Sequence, residues 1–571
     1  MKKHFFKIII ILAICIGIGV GSGVVYFNDH AWGAWGDDSA GYIYLAGRMY
    51  SGKPLIYTDD LALSGFNFFG DEKLARWLLP THHQFINTHG VAASKYPVGL
   101  SLLMVLAAKI MHSSFGFYLL NPLLAAVNLA LIYLLALVLF PKYRYRHAIG
   151  VLASFFLGIS HLYYDHALAQ PMREIPSITF LLLMAIPLVR VLDRFQEKHI
   201  SARDRLLNYA LLALAGLAYG IAIDVRETSI MLFPGIVLAV LMVLRKQWRA
   251  VIINGAVFIF MMAIALTPTI LNSIHLSEDK EVFKARDKSS VVILSNINHL
   301  DTISTDNVFD NEGRFRPGKG SLPHYWDIMQ QASPVPYFLA FVLLGIIFLW
   351  RMNKPKTIFL LLWCLGTLTI FALWINPYSR YILPMFPPLM LFASFGICSF
   401  FQEFLPRVVP ERRVVRVLAF VVVAITFGYG YQPLFAEVKE NLHSDVYIFK
   451  AISKTDLETL IDLGGQLKTY QKPVLMFSGS WQYGTSETLE AHTGLKAIRF
   501  PLEQRFDFSK DEVYTFFNQM LGDGYTLFVW IDATSSPEAL DFVNQYNGEE
   551  IKTLQFTFQP DVHIYSVSLQ R

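Results

Sequence analysis

Apolar stretches of about 17–25 residues recur along the whole chain, and each is long enough to cross a lipid bilayer as a helix. They lie at about 6–27, 117–140, 148–163, 176–192, 207–224, 228–244, 251–272, 335–351, 356–375, 380–402 and 414–431. In hydrocarbon a segment must satisfy its own backbone N–H and C=O groups, so such runs fold as helices. The composition agrees, with 16% charged residues, 54% hydrophobic residues and a mean hydropathy of +0.42. A soluble domain carries roughly 25% charged residues. The expected fold class is mainly α: a polytopic helical membrane protein of about 11 spans, followed by a C-terminal extracytoplasmic α/β domain.

The connections between spans sort by charge. Lys142/Arg144/Arg146, Arg190/Arg194/Lys198/Arg203/Arg205, Arg245/Lys246/Arg249, Arg351/Lys354/Lys356 and Arg407/Arg412/Arg413/Arg416 form one class, with Lys2, Lys3 and Lys7 at the start. Such loops face the cytoplasm. The alternate connections, 28–116, 163–175, 223–228, 273–334 and 375–380, then face outside, as does everything after Gln432. The run from Pro97 to His112 is too short to span, and crossing would turn every later basic loop outward, so it reads as interfacial or re-entrant. No small-x-small cleavage site precedes Asn28, so the first run reads as an uncleaved anchor. The expected location is a bacterial-type inner or plasma membrane, with a cytoplasmic N-terminus.

Two domains are expected: a membrane part over 1–435 with long outer loops 28–116 and 273–334, and a soluble extracytoplasmic domain over 436–571. In the second, 473–477, 525–530 and 563–567 read as strands and 510–521 as a helix. It holds 11 Lys and Arg against 19 Asp and Glu, a net of −8 within an overall +4. A nucleic-acid-binding protein would not divide its charge this way. Cys15, Cys364 and Cys398 all sit in apolar runs, which excludes a disulfide framework or a thiolate metal site.

Asp37 and Asp38 stand about ten residues beyond the anchor, close to the outer face of the bilayer. An Asp pair often only caps a helix. Ionisable groups near bilayer depth are costly, however, and a carboxylate there can act as general base toward an acceptor hydroxyl. Single cations at the outer ends of spans, Arg173, Arg226 and Arg380, together with Lys95, run against the positive-inside pattern. Arginine forks and a lysine point charge suit a lipid mono- or diphosphate. The plainer alternative is a pair of local bridges, Arg173 with Glu174 and Arg226 with Glu227. Glu174 reads as either a supporting acid or such a partner. Tyr42, Tyr44, Tyr96, Tyr378 and Tyr381 read mostly as interfacial belt, some able to stack on sugar faces. His82, His83 and His89 form a weak metal signal, since adjacent histidines diverge and no carboxylate spacing supports them. No Walker loop, nucleophile elbow or H-E-x-x-H is present, so nothing points to a nucleotide.

These motifs, in this order, resemble the GT-C superfamily of membrane glycosyltransferases, in the protein O-mannosyltransferase and aminoarabinose transferase branch. The matching pieces are Asp37-Asp38-x3-Tyr42, Lys95-Tyr96-Pro97-Val98-Gly99, Arg173-Glu174-Ile175-Pro176-Ser177, Arg226-Glu227-Thr228-Ser229 and Arg380-Tyr381-Ile382-Leu383-Pro384-x-x-Pro387-Pro388. The resemblance implies inverting transfer from a polyprenyl-phosphate sugar to a glycan, lipid or protein hydroxyl, with a first-loop Asp as base. Asp37 is preferred, although the family often has Asp-Glu here. It also implies Lys95, Arg173 and Arg380 around the donor phosphate. The residue reading adds Arg226 to them and places Tyr42, Tyr96, Glu174, Tyr381 and His83 at the substrate. No cofactor is fixed by the sequence, and a divalent metal is left open. Membrane lipids are expected partners and nucleic acid is not. A lipid-linked-sugar transporter is the first rival, but it predicts charges within spans and related halves, and neither is seen. A non-catalytic scaffold is the second, and it would not need the single outer arginines.

Overall fold

The computed structural model describes residues 2–28, 30–33, 37–70, 78–79, 84–86, 90–94, 96–168, 171–196, 201–244, 247–278, 321–331, 338–372, 378–405, 453–479, 482–501, 509–556 and 561–568, with single residues between 417 and 436. Helix α1 (Lys2–Asn28) is followed by α2 (Asp37–Tyr50), strand β1 (Ile56–Thr58), α3 (Asp60–Phe69), β2 (Gln84–Ile86) and β3 (Val91–Ser94). The apolar series follows: α4 (Val98–Ile110), α5 (Gly116–Leu139), α6 (Arg146–Gly158), α7 (His161–Leu168), α8 (Glu174–Phe195) and α9 (Ala202–Val225). It continues with α10 (Phe233–Leu244), α11 (Trp248–Glu278), α12 (Ser321–Gln331), α13 (Phe338–Met352), α14 (Lys354–Ala372) and α15 (Phe386–Ser399). Among the described residues, 8 helices are long and apolar enough to cross a membrane, or 9 if α6 and α7 are counted as one span. This is an integral membrane protein.

Ten of the expected spans coincide with helices, with two differences. The 148–163 run is a pair, α6 and α7, bent by 64° at the break. The expected 335–351 span is the 15-residue α13. The 414–431 span falls mostly outside the described residues. The short run after Pro97 is α4, an apolar helix below spanning length, as the charge pattern requires. Glycines set the closest helix crossing: on α13 and α15, a Cβ on Gly345 would strike the Phe392 carbonyl oxygen, and one on Gly396 the Phe341 carbonyl oxygen. Small residues let backbones approach where lipid gives no hydrophobic drive to associate.

The C-terminal part comprises α16 (Lys454–Leu467), β4 (Pro473–Phe477), α17 (Gln482–Thr493), β5 (Lys496–Arg499), α18 (Lys510–Gly522), β6 (Thr526–Ile531), α19 (Pro537–Gln545), β7 (Glu549–Leu554) and β8 (Val562–Val567). The sheet order is β5-β4-β6-β8-β7, with β4, β5 and β6 parallel and β8 and β7 antiparallel. Alternate residues of β4 feed opposite faces, the two-residue period of a strand buried on both sides. Val474 and Met476 meet Phe516, Phe517 and Phe542, together with Leu61 and Ala62 of α3. Leu475 and Phe477 meet Leu457, Leu460 and Leu463, in a cluster that continues into Ala40, Ile43 and Ala46 of α2 and Leu100 and Met104 of α4. The sheet and helices α2 and α4 therefore share one apolar core. α2 lies against α17 closely enough that a Cβ on Gly47 would sit 2.5 Å from the Ala491 carbonyl oxygen. A three-stranded antiparallel sheet in the order β1-β3-β2 forms within that loop.

Candidate active site

α2 starts at the aspartate pair. The backbone of Asp37 opens the helix, and its side chain lies outside the described residues. Asp38 Oδ2 pairs with Arg380 Nη2, and Tyr96 Oη donates to Asp38 Oδ1 at 2.9 Å. Burial, then the neighbouring Asp38 carboxylate, pushes the Tyr96 phenol well above its ordinary range, so it stays a donor. The Tyr96 ring packs on Tyr42, with centroids 4.5 Å apart. It can reach α2 only because residue 41 is glycine, since a Cβ there would strike the ring. Ser101 Oγ donates to the Tyr42 carbonyl at 3.0 Å and ties the start of α4 to α2. The Tyr42 hydroxyl is buried and makes no hydrogen bond among the described residues.

Behind Asp38 the four charges of the second and third outer motifs cross over. Arg173 Nη1 lies 3.0 Å from Glu227 Oε2, and Arg226 Nη1 lies 3.5 Å from Glu174 Oε1. The local pairing considered from the sequence is replaced by this exchange. Arg173 and Glu174 open α8 and the Arg226-Glu227 pair follows α9, so each arginine meets the acid of the facing helix. Arg380 Nε also approaches Glu174 Oε1, at 3.9 Å. Glu174 is fully buried, and Arg226 is 1% exposed. Arg226 is walled in by the rings of Phe371 and Tyr381, at 5.2 and 5.8 Å, and donates to the Tyr381 carbonyl at 3.3 Å. The chain of contacts runs Tyr96–Asp38–Arg380–Glu174–Arg226. Arg173 and Arg380 keep 25% and 18% of their side chains exposed, whereas Arg226 is enclosed.

Asp38, Arg173, Arg226, Arg380, Tyr42, Tyr96, Glu174 and Tyr381 thus gather in one region. Tyr42 and Tyr381 are buried members of it rather than interfacial belt. Lys95 and His83 lie outside the described residues, as do His82 and His89. The sequence reading did not single out Glu227 as the partner of Arg173, or His166 of α7, whose buried Nδ1 has no hydrogen-bond partner among the described residues. A lone histidine on a short apolar helix carries no signal in the sequence. Among the described residues, no three His, Cys, Asp or Glu side chains converge as a metal ion needs.

No family model matches the sequence, and no curated protein matches it either. Solved structures do match. The archaeal oligosaccharyltransferase AglB from Archaeoglobus fulgidus, in complex with an inhibitory peptide and a dolichol-phosphate, aligns at a TM-score of 0.55 and 12% identity, over 92% of this chain and 70% of that one. ArnT from Cupriavidus metallidurans, bound to undecaprenyl phosphate, aligns at a TM-score of 0.52 and 14% identity, over 98% of each chain. The same archaeal enzyme in complex with Zn and sulfate aligns at 0.52 and 12% identity, over 91% of this chain and 68% of that one. At such identities the likeness is one of fold, and it extends through the membrane helices into the C-terminal sheet. The chain shares the fold of these AglB and ArnT structures.

Proposed function

We propose that this protein is a GT-C-type membrane glycosyltransferase. It moves a sugar from a polyprenyl-phosphate donor to an acceptor hydroxyl at the outer face of the membrane, with inversion. The observation that carries this reading is the Asp38–Arg380 contact, which unites the acid of the first outer loop with a cation 342 residues away. The lipid tail lies among the spans, and the donor phosphate meets Arg380 and Arg173, joined by Lys95. Arg226, enclosed with Glu174, adds its charge from behind and holds the other side chains in place. A phosphate competes with Asp38 for the Arg380 guanidinium, so donor binding frees a first-loop carboxylate. A first-loop carboxylate, Asp37 or the freed Asp38, takes the proton of the acceptor hydroxyl as its oxygen bonds to the anomeric carbon. The bond from that carbon to the phosphate oxygen breaks, and polyprenyl phosphate leaves with the electron pair. The arginines stabilise charge building on the leaving phosphate. Tyr42, Tyr96 and Tyr381 shape the sugar pocket, and His83 joins them. Asp38 and Glu174 each face an arginine.

Residues 1–435 serve as the catalytic body, and 436–571 as an extracytoplasmic domain braced on α2. In the test, Asp37→Asn and Asp38→Asn proteins are assayed for transfer from a labelled lipid-linked sugar. At least one should lose several orders of magnitude while keeping its fold, and wild-type rates in both would overturn the reading.

A further inference from the structure

α8 runs from Glu174 in the candidate active site to the opposite end of the helix bundle. Asp193 is 19 residues on, about 28 Å along the axis at 1.5 Å per residue. At that far end the last turns of α5, α8 and α13 and the first turn of α14 enclose a cavity of about 490 Å³. Its floor is built around Lys356, which is 2% exposed. The Lys356 ammonium donates to the Leu139 carbonyl at 2.9 Å and pairs with Asp193 at 2.7 Å. Lys142 and Arg190 also line the cavity, and neither pairs with a carboxylate among the described residues. Three cations thus face one carboxylate that is already engaged. The positive-inside rule accounts for basic residues at this end of the bundle. It does not account for a concave site with one lysine buried beneath it, because a cation that only marks topology stays in water.

We propose that this cavity binds a phosphate-bearing anion, held by Lys142 and Arg190 over the fixed charge of Lys356. Basic pockets between membrane helices suit the headgroups of anionic lipids, and a free phosphate has the same chemistry. The proposal does not depend on the glycosyltransferase reading.

The full-length protein is tested in nanodiscs of phosphatidylglycerol or of phosphatidylcholine, with retained lipid counted by native mass spectrometry. A second arm titrates inorganic phosphate and pyrophosphate in detergent and reads thermal stability. Lys142→Gln/Arg190→Gln should weaken anion binding about 30-fold, as expected for two cations at a lipid surface. Arg144→Gln/Arg351→Gln, on the same face but outside the cavity, should leave binding unchanged. Selective retention of phosphatidylglycerol identifies a lipid headgroup, and stabilisation by phosphate alone identifies a free ion. Equal losses in the two double variants, or binding of neither ligand by the wild type, would overturn the proposal.

Discussion

Arg226 bypasses the adjacent Glu227 and faces Glu174, 52 residues earlier in the chain, with Nη1 3.5 Å from Oε1, while Arg173 takes Glu227 at 3.0 Å. The exchange locks the start of α8 to the turn after α9. It leaves Glu174 shared between Arg226 and Arg380. A carboxylate between two guanidinium groups keeps both cations tolerable in a buried place, and the energetic consequences follow from that.

Glu174→Gln removes the carboxylate that pairs with buried Arg226. Breaking a buried pair by deleting one partner costs roughly 3–5 kcal/mol, because an uncompensated charge remains. The variant should unfold at markedly lower denaturant or temperature in detergent. Glu174→Leu combined with Arg226→Met should recover much of the loss.

Tyr96→Phe deletes the phenol that donates to Asp38 Oδ1 and keeps the ring that packs on Tyr42. A hydrogen bond to a charged group is worth about 1.5–3 kcal/mol, so transfer should fall roughly ten- to a hundredfold if Asp38 must be held in place. The fall should appear in kcat, and thermal stability should change little.

Gly396→Ala should be severely disruptive for so small a change. The added methyl would strike the Phe341 carbonyl oxygen, which is backbone and cannot turn aside. Separating α13 from α15 would cost about 1–3 kcal/mol or more, visible as a lower melting temperature in detergent. Gly255→Ala, where a Cβ meets nothing within 4 Å, is the control and should be neutral.

His492, near the C-terminus of α17, is clasped by Ser114 Oγ on Nδ1 and Tyr118 Oη on Nε2, both at 2.8 Å. Burial depresses its pKa from 6.5 to about 4. Because the folded value lies below the unfolded one, the unfolded chain takes up the proton first. The stabilisation is complete above about pH 6.5 and is lost as pH falls toward 4. The difference amounts to roughly 3 kcal/mol at most. Limited proteolysis of the C-terminal domain should accelerate over that window, and His492→Gln should flatten the response.

Much of the fold was legible because a bilayer imposes so few solutions. Length and hydropathy alone mark the long apolar helices between α5 and α15, and the basic loops required α4 to stop short of spanning; α12, a mostly polar helix within the stretch read as the 273–334 loop, was not legible. The 64° break between α6 and α7 falls at Gly158-Ile159-Ser160-His161, a glycine and two polar residues that a hydropathy average over the run passes over. In the C-terminal part, β4, β6 and β8 announce themselves as buried apolar strands. β5 has only four residues, and β7, Glu549–Leu554, reads as a polar stretch whose pairing with β8 makes it a strand.

The candidate site divides in the same way. Its residue types and their places at the ends of spans were written in the chain, since a charge at that depth needs a reason to be there. Their partners were not. Arg173 and Arg226 each have an acid next door, yet a helix end points adjacent side chains in different directions. Only the packing of α8 against α9 shows which acid each one reaches. Nor could the sequence show that α2 and the distant C-terminal sheet form one core, because the glycine that admits the contact, Gly47, looks the same as a flexible one until Ala491 is set against it. Hydropathy determined which segments enter the membrane, and helix packing decided which charges meet.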